Sequence, residues 1–287
     1  MKKLYTLFLW TTLLFSVTST QAGRIVTDSL QSKILGTSRT YNIYLPDGYD
    51  QNTTQKYPVL YLLHGLTDDY RAWVEKGGLQ IVADELMGTG EMRPMLIVMP
   101  NAGGDLGKEV WNGYFDMPGW SYEQFFFKEF IPTIEQKYRI QSDKGHRAVS
   151  GLSMGGGGSV VYCQHHPEMF SSCYAFSGWL DAGNVTDEMR KDNKKISLVT
   201  VSVHDHSAVN FLENANDATK QKLRTVKWFI DVGDDDYLLE INEKFHMLMR
   251  NNHIPCEFRV RNGNHNWEYW HTGLRTSLPF VSRNFDK

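Results

Sequence analysis

Cysteine is scarce in this chain, and paired motifs of it are absent: Cys163, Cys173 and Cys256 are an odd number without C-x-x-C spacing. That excludes a disulfide framework, because at most one internal bridge can form. Buried thiols are expected instead, since all three lie in or beside apolar segments. An excess of positive charge is also missing. The formal net charge of -3 at pH 7 gives no electrostatic case for nucleic acid or an anionic membrane as partner. Internal repeats, low-complexity tracts and Pro- or Ser-rich linkers are absent too. With 41% hydrophobic and 13% aromatic content over 287 residues, the chain has the material for one large domain with a substantial core.

The most apolar stretch, Leu4 to Val17, is about 14 residues long and therefore short for a membrane span, which needs roughly 20. It follows Met1, Lys2 and Lys3 and precedes the small and polar residues Thr18 to Ala22. That is the order of a secretory signal peptide, with Thr20 and Ala22 as the small residues three and one positions before a cut. Residues 1–22 are expected to be a leader, and 23–287 the functional domain of a secreted or periplasmic protein with no stable membrane span after processing. Removing the leader takes away Lys2 and Lys3 and no acid, so the net charge moves from -3 to -5.

The strand signal is plentiful. "YNIYLP" (41–46) alternates as a half-buried strand does, and "YPVLYLLHG" (57–65) is nearly continuous, as a central strand covered on both faces would be. Segments 94–100, 146–153, 171–178, 226–233 and 256–263 repeat the signal, with helix-compatible segments between them. A helix is expected from Ser121 onward, where Ser121 and Gln124 have capping-box spacing, with a kink at Pro132. Alternating strands and helices predict an α/β fold with a mostly parallel sheet. The long polar stretch 181–224 interrupts the alternation and is expected to form a solvated lid.

Glycine is concentrated in "AVSGLSMGGGGSVV" (148–161). No lysine follows, as a phosphate loop would need, and the dinucleotide pattern G-x-G-x-x-G with a later acid is absent. Gly151, Ser153 and Gly155 instead match G-x-S-x-G where a strand ends and a helix begins, the setting of a nucleophile elbow. Neighbours without side chains let strand and helix approach closely around a strained serine. A serine hydroxyl needs a histidine base held by a carboxylate. "FIDVGDDDY" places Asp234, Asp235 and Asp236 just past one later strand, and "VRNGNHNWEYW" places His265 just past another. Both ends lie on the edge where open α/β sheets form sites. An acidic cluster alone can be a helix cap and a lone histidine structural, but the order Ser, Asp, His favours catalysis. The candidate oxyanion donors are the backbone N–H groups of Met154 and of Leu66 in "LLHGLTDD". Asp68 and Asp69 are read as helix caps and His64 as a residue that orders this loop.

On "LLHG", "GLSMGG", "GDDD" and "GNHNWEYW", the chain resembles the esterase D-like group of α/β-hydrolases, which includes feruloyl and acetyl-xylan esterases of carbohydrate esterase family one. The likeness spans about Asn42 to Phe280. It implies an α/β-hydrolase fold with helices on both sheet faces, Ser153 as nucleophile, His265 as general base and Asp236 as the orienting acid. It also implies substrate contacts from the aromatic segment around Trp111 and Tyr114 and from Trp267, each of which could equally belong to the core. The expected activity is hydrolysis of carboxylic esters through an acyl-enzyme, on a small ester or an acylated carbohydrate of plant origin, with no cofactor and no metal. The H-D-H of residues 204–206 is too little for a metal site. An acyltransferase with the same triad, or a binding module on a hydrolase fold, remains open.

Overall fold

The computed structural model describes residues 22–105, 107, 110–192 and 196–287. The expected leader lies outside the described residues except for Ala22.

The seven segments read as strands each hold all or most of one, and three further strands join them. In chain order these are β1 (Arg24–Gln31), β2 (Ser38–Leu45), β3 (Val59–Leu63), β4 (Leu96–Met99), a short hairpin of β5 (Asp116–Met117) and β6 (Trp120–Ser121), β7 (Arg147–Leu152), β8 (Ser172–Phe176), β9 (Lys227–Gly233) and β10 (Cys256–Arg261). Eight form one sheet in the order β1-β2-β4-β3-β7-β8-β9-β10. β2 runs antiparallel to both β1 and β4, and the remaining pairs are parallel. Every residue of β3, β7 and β8 is buried, as central strands require. β1 is an edge strand of half-buried and exposed residues, so no apolar run announced it.

The helices are α1 (Ala72–Glu75), α2 (Leu79–Gly88), α3 (Tyr122–Phe125), α4 (Ile131–Lys137), α5 (Met154–His165), α6 (Asp187–Lys191), α7 (Ile196–Asp205), α8 (Ala208–Glu213), α9 (Asp217–Leu223), α10 (Leu239–Asn251) and α11 (Trp267–Arg283). The period of two along β3 sends Leu60 and Leu62 into the core cluster on one face, with Val82 of α2 and Leu278 of α11, and Tyr61 and Leu63 into the cluster on the other, with Val160 of α5 and Phe245 of α10.

Two local expectations need correction. The capping box does not form: Ser121 makes no cap bond, and Asp116 takes both the backbone N–H and the side-chain amide of Gln124. The helix does run through Pro132, since residues 122–137 are helical without a break, and the proline directly follows a widened π turn (Phe126–Phe130) in which Ile131 N–H reaches Phe126 O. The π turn takes up the interruption that a residue without an N–H makes in the helix's hydrogen-bond ladder. The stretch 181–224 is also more than a solvated loop. It contains α6 to α9, and Val199, Val203, Val209 and Leu212 are buried in the main core.

The glycine run has a packing cause. A Cβ on Gly155 would lie 2.6 Å from His64 O, on Gly156 2.8 Å from Phe176 O, on Gly157 2.2 Å from Trp179 O, and on Gly158 3.1 Å from Tyr114 Cβ. Helix α5 is thus pressed on successive sides, and it is buried from Met154 to Gln164.

Candidate active site

β7 delivers Ser153 to the carboxyl edge of the sheet, in the turn that opens α5. Its backbone is held at φ 53° and ψ -117°, a region that L-residues rarely occupy and that persists only when surroundings enforce it. They do so here. Ser153 N–H donates to Phe176 O, and Ser153 O accepts from Gly157 and Trp179 N–H. A Cβ at Gly151 would lie 2.5 Å from Gly155 O, so the crossing of strand and helix requires glycine at this position.

The loop after β9 carries the three aspartates, and they separate. Asp234 accepts from Gly263 N–H at 2.8 Å, tying this loop to the one after β10. Asp235 is exposed, and Asp236 is buried. Both Asp236 carboxylate oxygens lie 2.9 Å from His265 Nδ1, and His265 Nε2 lies 2.9 Å from Ser153 Oγ. An ionised carboxylate only accepts, so Nδ1 carries the proton and the Nε2 lone pair faces the serine hydroxyl. Burial alone would push the Asp236 carboxyl up. Hydrogen bonds from His265, Ser177 and the Leu238 N–H outweigh it and hold the group below its ordinary value. Ser177 accepts from Trp270 Nε1 at 3.1 Å, which leaves its own proton for Asp236. Trp270 also meets the His265 ring edge-on at 4.9 Å.

A cavity of about 600 Å³ opens over Ser153, lined by Leu66, Trp179, Tyr237, His265 and Trp267 among others. Leu66 lies in its wall, and Met154 N–H heads α5, where the first N–H groups have no partner within the helix. His64 sets the loop that carries Leu66. Its Nε2 lies 3.0 Å from Ala102 N and must accept, so its Nδ1 donates to Gly65 O at 2.7 Å. Burial pushes this imidazole below its ordinary pKa and so favours the neutral form that the two contacts require.

Of the expected substrate contacts, Trp267 lines the cavity. Tyr114 does not fit that role: it is fully buried, and its hydroxyl accepts from His64 N–H at 2.7 Å. It supports the loop from beneath. Trp111 packs half-buried against the core beside it. Neither aspartate is the N-cap of α1, a position that Arg71 holds without a side-chain cap bond: Asp69 accepts from Arg71 N–H in the turn ahead of the helix, and Asp68 pairs with Lys76 at 2.7 Å on the cavity wall. Lys76, Trp179, Ser177 and Tyr237 carried no sequence signal, because tertiary packing alone brings them here. His204, Asp205 and His206 turn to Gly183 O, Arg190 and Ser202 O respectively. Among the described residues no group of three or more metal-ligating side chains converges.

The likeness to known proteins follows the same lines. Solved structures with this fold include a ferulic acid esterase, 48% identical, with a TM-score of 0.87 over 92% of this chain and 100% of that one. A CE1 ferulic acid esterase from Anaeromyces mucronatus, in complex with ferulic acid, is 20% identical at a TM-score of 0.73 over 94% of each chain and shows the fold alone. Among curated relatives, an endo-1,4-beta-xylanase/feruloyl esterase of Xylanibacter ruminicola is 30% identical over 201 residues, 69% of this chain and 27% of that protein. Esterase Rv1288 of Mycobacterium tuberculosis is 31% identical over 156 residues, 52% of this chain and 31% of that protein. The chain thus spans about a third or less of the length of these curated relatives. The family described as "Putative esterase" matches residues 32–281, and the chain belongs to that esterase family.

Proposed function

We propose that this protein is an exported serine esterase that cleaves hydroxycinnamoyl or acetyl esters of plant polysaccharide through an acyl-enzyme. The observation that carries the reading is the relay of 2.9 Å contacts from Asp236 through His265 to Ser153, at a serine whose backbone is strained into the cavity. His265 Nε2 takes the serine proton as Oγ attacks the ester carbonyl, and Asp236 stabilises the imidazolium that forms. Charge developing on the carbonyl oxygen is met by the Leu66 and Met154 N–H groups. The tetrahedral intermediate collapses, His265 passes its proton to the departing alcohol, and water repeats the sequence to release the acid. The aromatic wall of Trp179, Tyr237, Trp267 and Trp270 favours a planar acyl group, and the 48% identity to a ferulic acid esterase supports the same choice.

The test is a panel of methyl ferulate, p-nitrophenyl acetate and longer acyl esters, with product analysis in the presence of a sugar acceptor. Free acid as main product and the highest kcat/KM on ferulate are expected, and Ser153→Ala is expected to abolish turnover while leaving the circular dichroism spectrum unchanged. Activity retained in Ser153→Ala, or acyl transfer to the sugar as the main reaction, would refute this proposal.

A further inference from the structure

The boundary between Ala22 and Gly23 has a structural counterpart that the catalytic reading does not use. Ala22 is exposed and Gly23 is buried. Gly23 N–H donates to Asp84 Oδ1 at 2.9 Å, the Tyr44 hydroxyl donates to the same oxygen at 2.7 Å, and Gln80 Nε2 donates to Gly23 O at 2.7 Å. Among the described residues no lysine or arginine pairs with Asp84. The nearest arginine in sequence, Arg24, is already bound to Asp50 at 3.0 Å. A half-buried carboxylate therefore faces the nitrogen that a cut after Ala22 would turn into an amine, and it lacks a cationic partner.

We propose that hydrolysis of the Ala22–Gly23 peptide bond gives Gly23 a free α-ammonium, and that Asp84 captures it as the anchor of the processed chain. This rests on the export reading. Water adds across the amide: Ala22 keeps the carbonyl carbon and gains the hydroxyl oxygen, the C–N bond breaks, and Gly23 nitrogen takes the protons to become the ammonium. The agent is a peptidase of the export route, acting before β1 docks, because the folded chain buries Gly23. A neutral N–H donor is thereby replaced by a charged one on the same oxygen, a stronger class of hydrogen bond, in the manner of sites that capture a terminal amine.

The register of the cut follows from the same contacts. A Cβ at position 23 would lie 2.4 Å from the Tyr44 hydroxyl, so the pocket takes glycine. A cut one residue later would leave Arg24 first and remove both Gly23 bonds. A cut one residue earlier would carry the charge out to the exposed Ala22 position.

The full chain is expressed in a host that exports it, and the recovered protein is sequenced from its N-terminus. Gly23 as first residue is expected; any other start overturns this cut and its capture while leaving the export reading standing, and a retained leader overturns both. Chains starting at Gly23 and at Ala22 are then melted, each with Asp84 and with Asp84→Asn. The Gly23 form should melt roughly 2 °C higher, and the gap should vanish in Asp84→Asn, where loss of the Tyr44 bond is common to both lengths. An equal gap in both backgrounds, or none, overturns the capture. If Asp84→Asn does not fold, acylation of the α-amine in the Gly23 form decides. It should be at least about tenfold slower in the folded protein than in urea at the same pH, and equal rates overturn the capture. Neither measurement uses catalysis, so an inactive enzyme would leave this inference untouched.

Discussion

At Asp236 burial and hydrogen bonding oppose each other, and hydrogen bonding prevails. An asparagine in its place would keep the shape but would offer an amide N–H where His265 Nδ1–H needs an acceptor, favouring the wrong tautomer. Asp236→Asn should therefore lower kcat by about 10⁴ with little change in KM, as for other triads, read from steady-state kinetics on an activated ester. A folded-state pKa below the ordinary carboxylate value contributes stability above about pH 4 and loses it as the pH falls through the depressed value. The stability difference between wild type and Asp236→Asn, measured by urea unfolding, should shrink over that acid window. His64 gives a second prediction. In the trans Gly65–Leu66 peptide the carbonyl and the N–H point in opposite directions, so the bond from His64 Nδ1 that fixes Gly65 O also aims Leu66 N–H. Glutamine at 64 can accept from Ala102 but is badly placed to donate to Gly65 O, whereas asparagine can keep that donation. His64→Gln should lose about 10- to 100-fold in kcat and His64→Asn less, with binding of a trifluoromethyl ketone weakened in parallel; equal losses in both would refute the aim. At this scale Ser153, His265 and a choice among three aspartates were legible from spacing and order, and the resemblance pointed to Asp236. The burial of Tyr114 and the roles of Ser177 and Lys76 were not, because their partners are distant in sequence.

The elements show a similar division. A nearly continuous apolar run marked β3, since a strand covered on both faces carries little else, and a weaker strand signal marked β7 and β8, whereas the edge strand β1 left no such mark. The four helices of 181–224 were hidden by polar composition, although Val199, Val203, Val209 and Leu212 supply a buried face. The glycine run of α5 was visible but unexplained beyond close packing, and the structure gives each glycine its own neighbour. Alanine is ordinarily better than glycine inside a helix by about 1 kcal/mol, yet Gly157→Ala puts a Cβ 2.2 Å from Trp179 O. That overpacking should cost about 1 to 3 kcal/mol and displace the Trp179 side of the cavity. Gly88, at the end of α2, has nothing within 4 Å of its Cβ position, so Gly88→Ala should instead raise stability by about 0.4 to 1 kcal/mol. Thermal melts of the two variants should therefore move in opposite directions.

Across the whole molecule the two edges of the sheet do different work. The carboxyl ends of β7, β9 and β10 lead to Ser153, Asp236 and His265, as open α/β sheets place their sites. The opposite edge holds a buried ion pair. Arg147, first residue of β7, donates to both oxygens of Glu135 on α4 at 2.7 and 2.8 Å and to Met169 O at 2.8 Å. Burial alone would pull the guanidinium's pKa down, and Glu135 more than restores it, so the group stays charged. Removing one partner leaves that charge buried and unpaired, a loss of about 3 to 5 kcal/mol, whereas an apolar pair of similar volume is often nearly neutral. Glu135→Gln should thus lower Tm by about 6 to 15 °C, and the double change Glu135→Leu with Arg147→Met should recover most of it. Both variants should keep wild-type kcat per folded molecule at 25 °C, because the pair sits at the far end of the strand from Ser153. A fall in kcat that tracks the fall in Tm would mean that the two edges are coupled through β7 rather than divided between stability and chemistry.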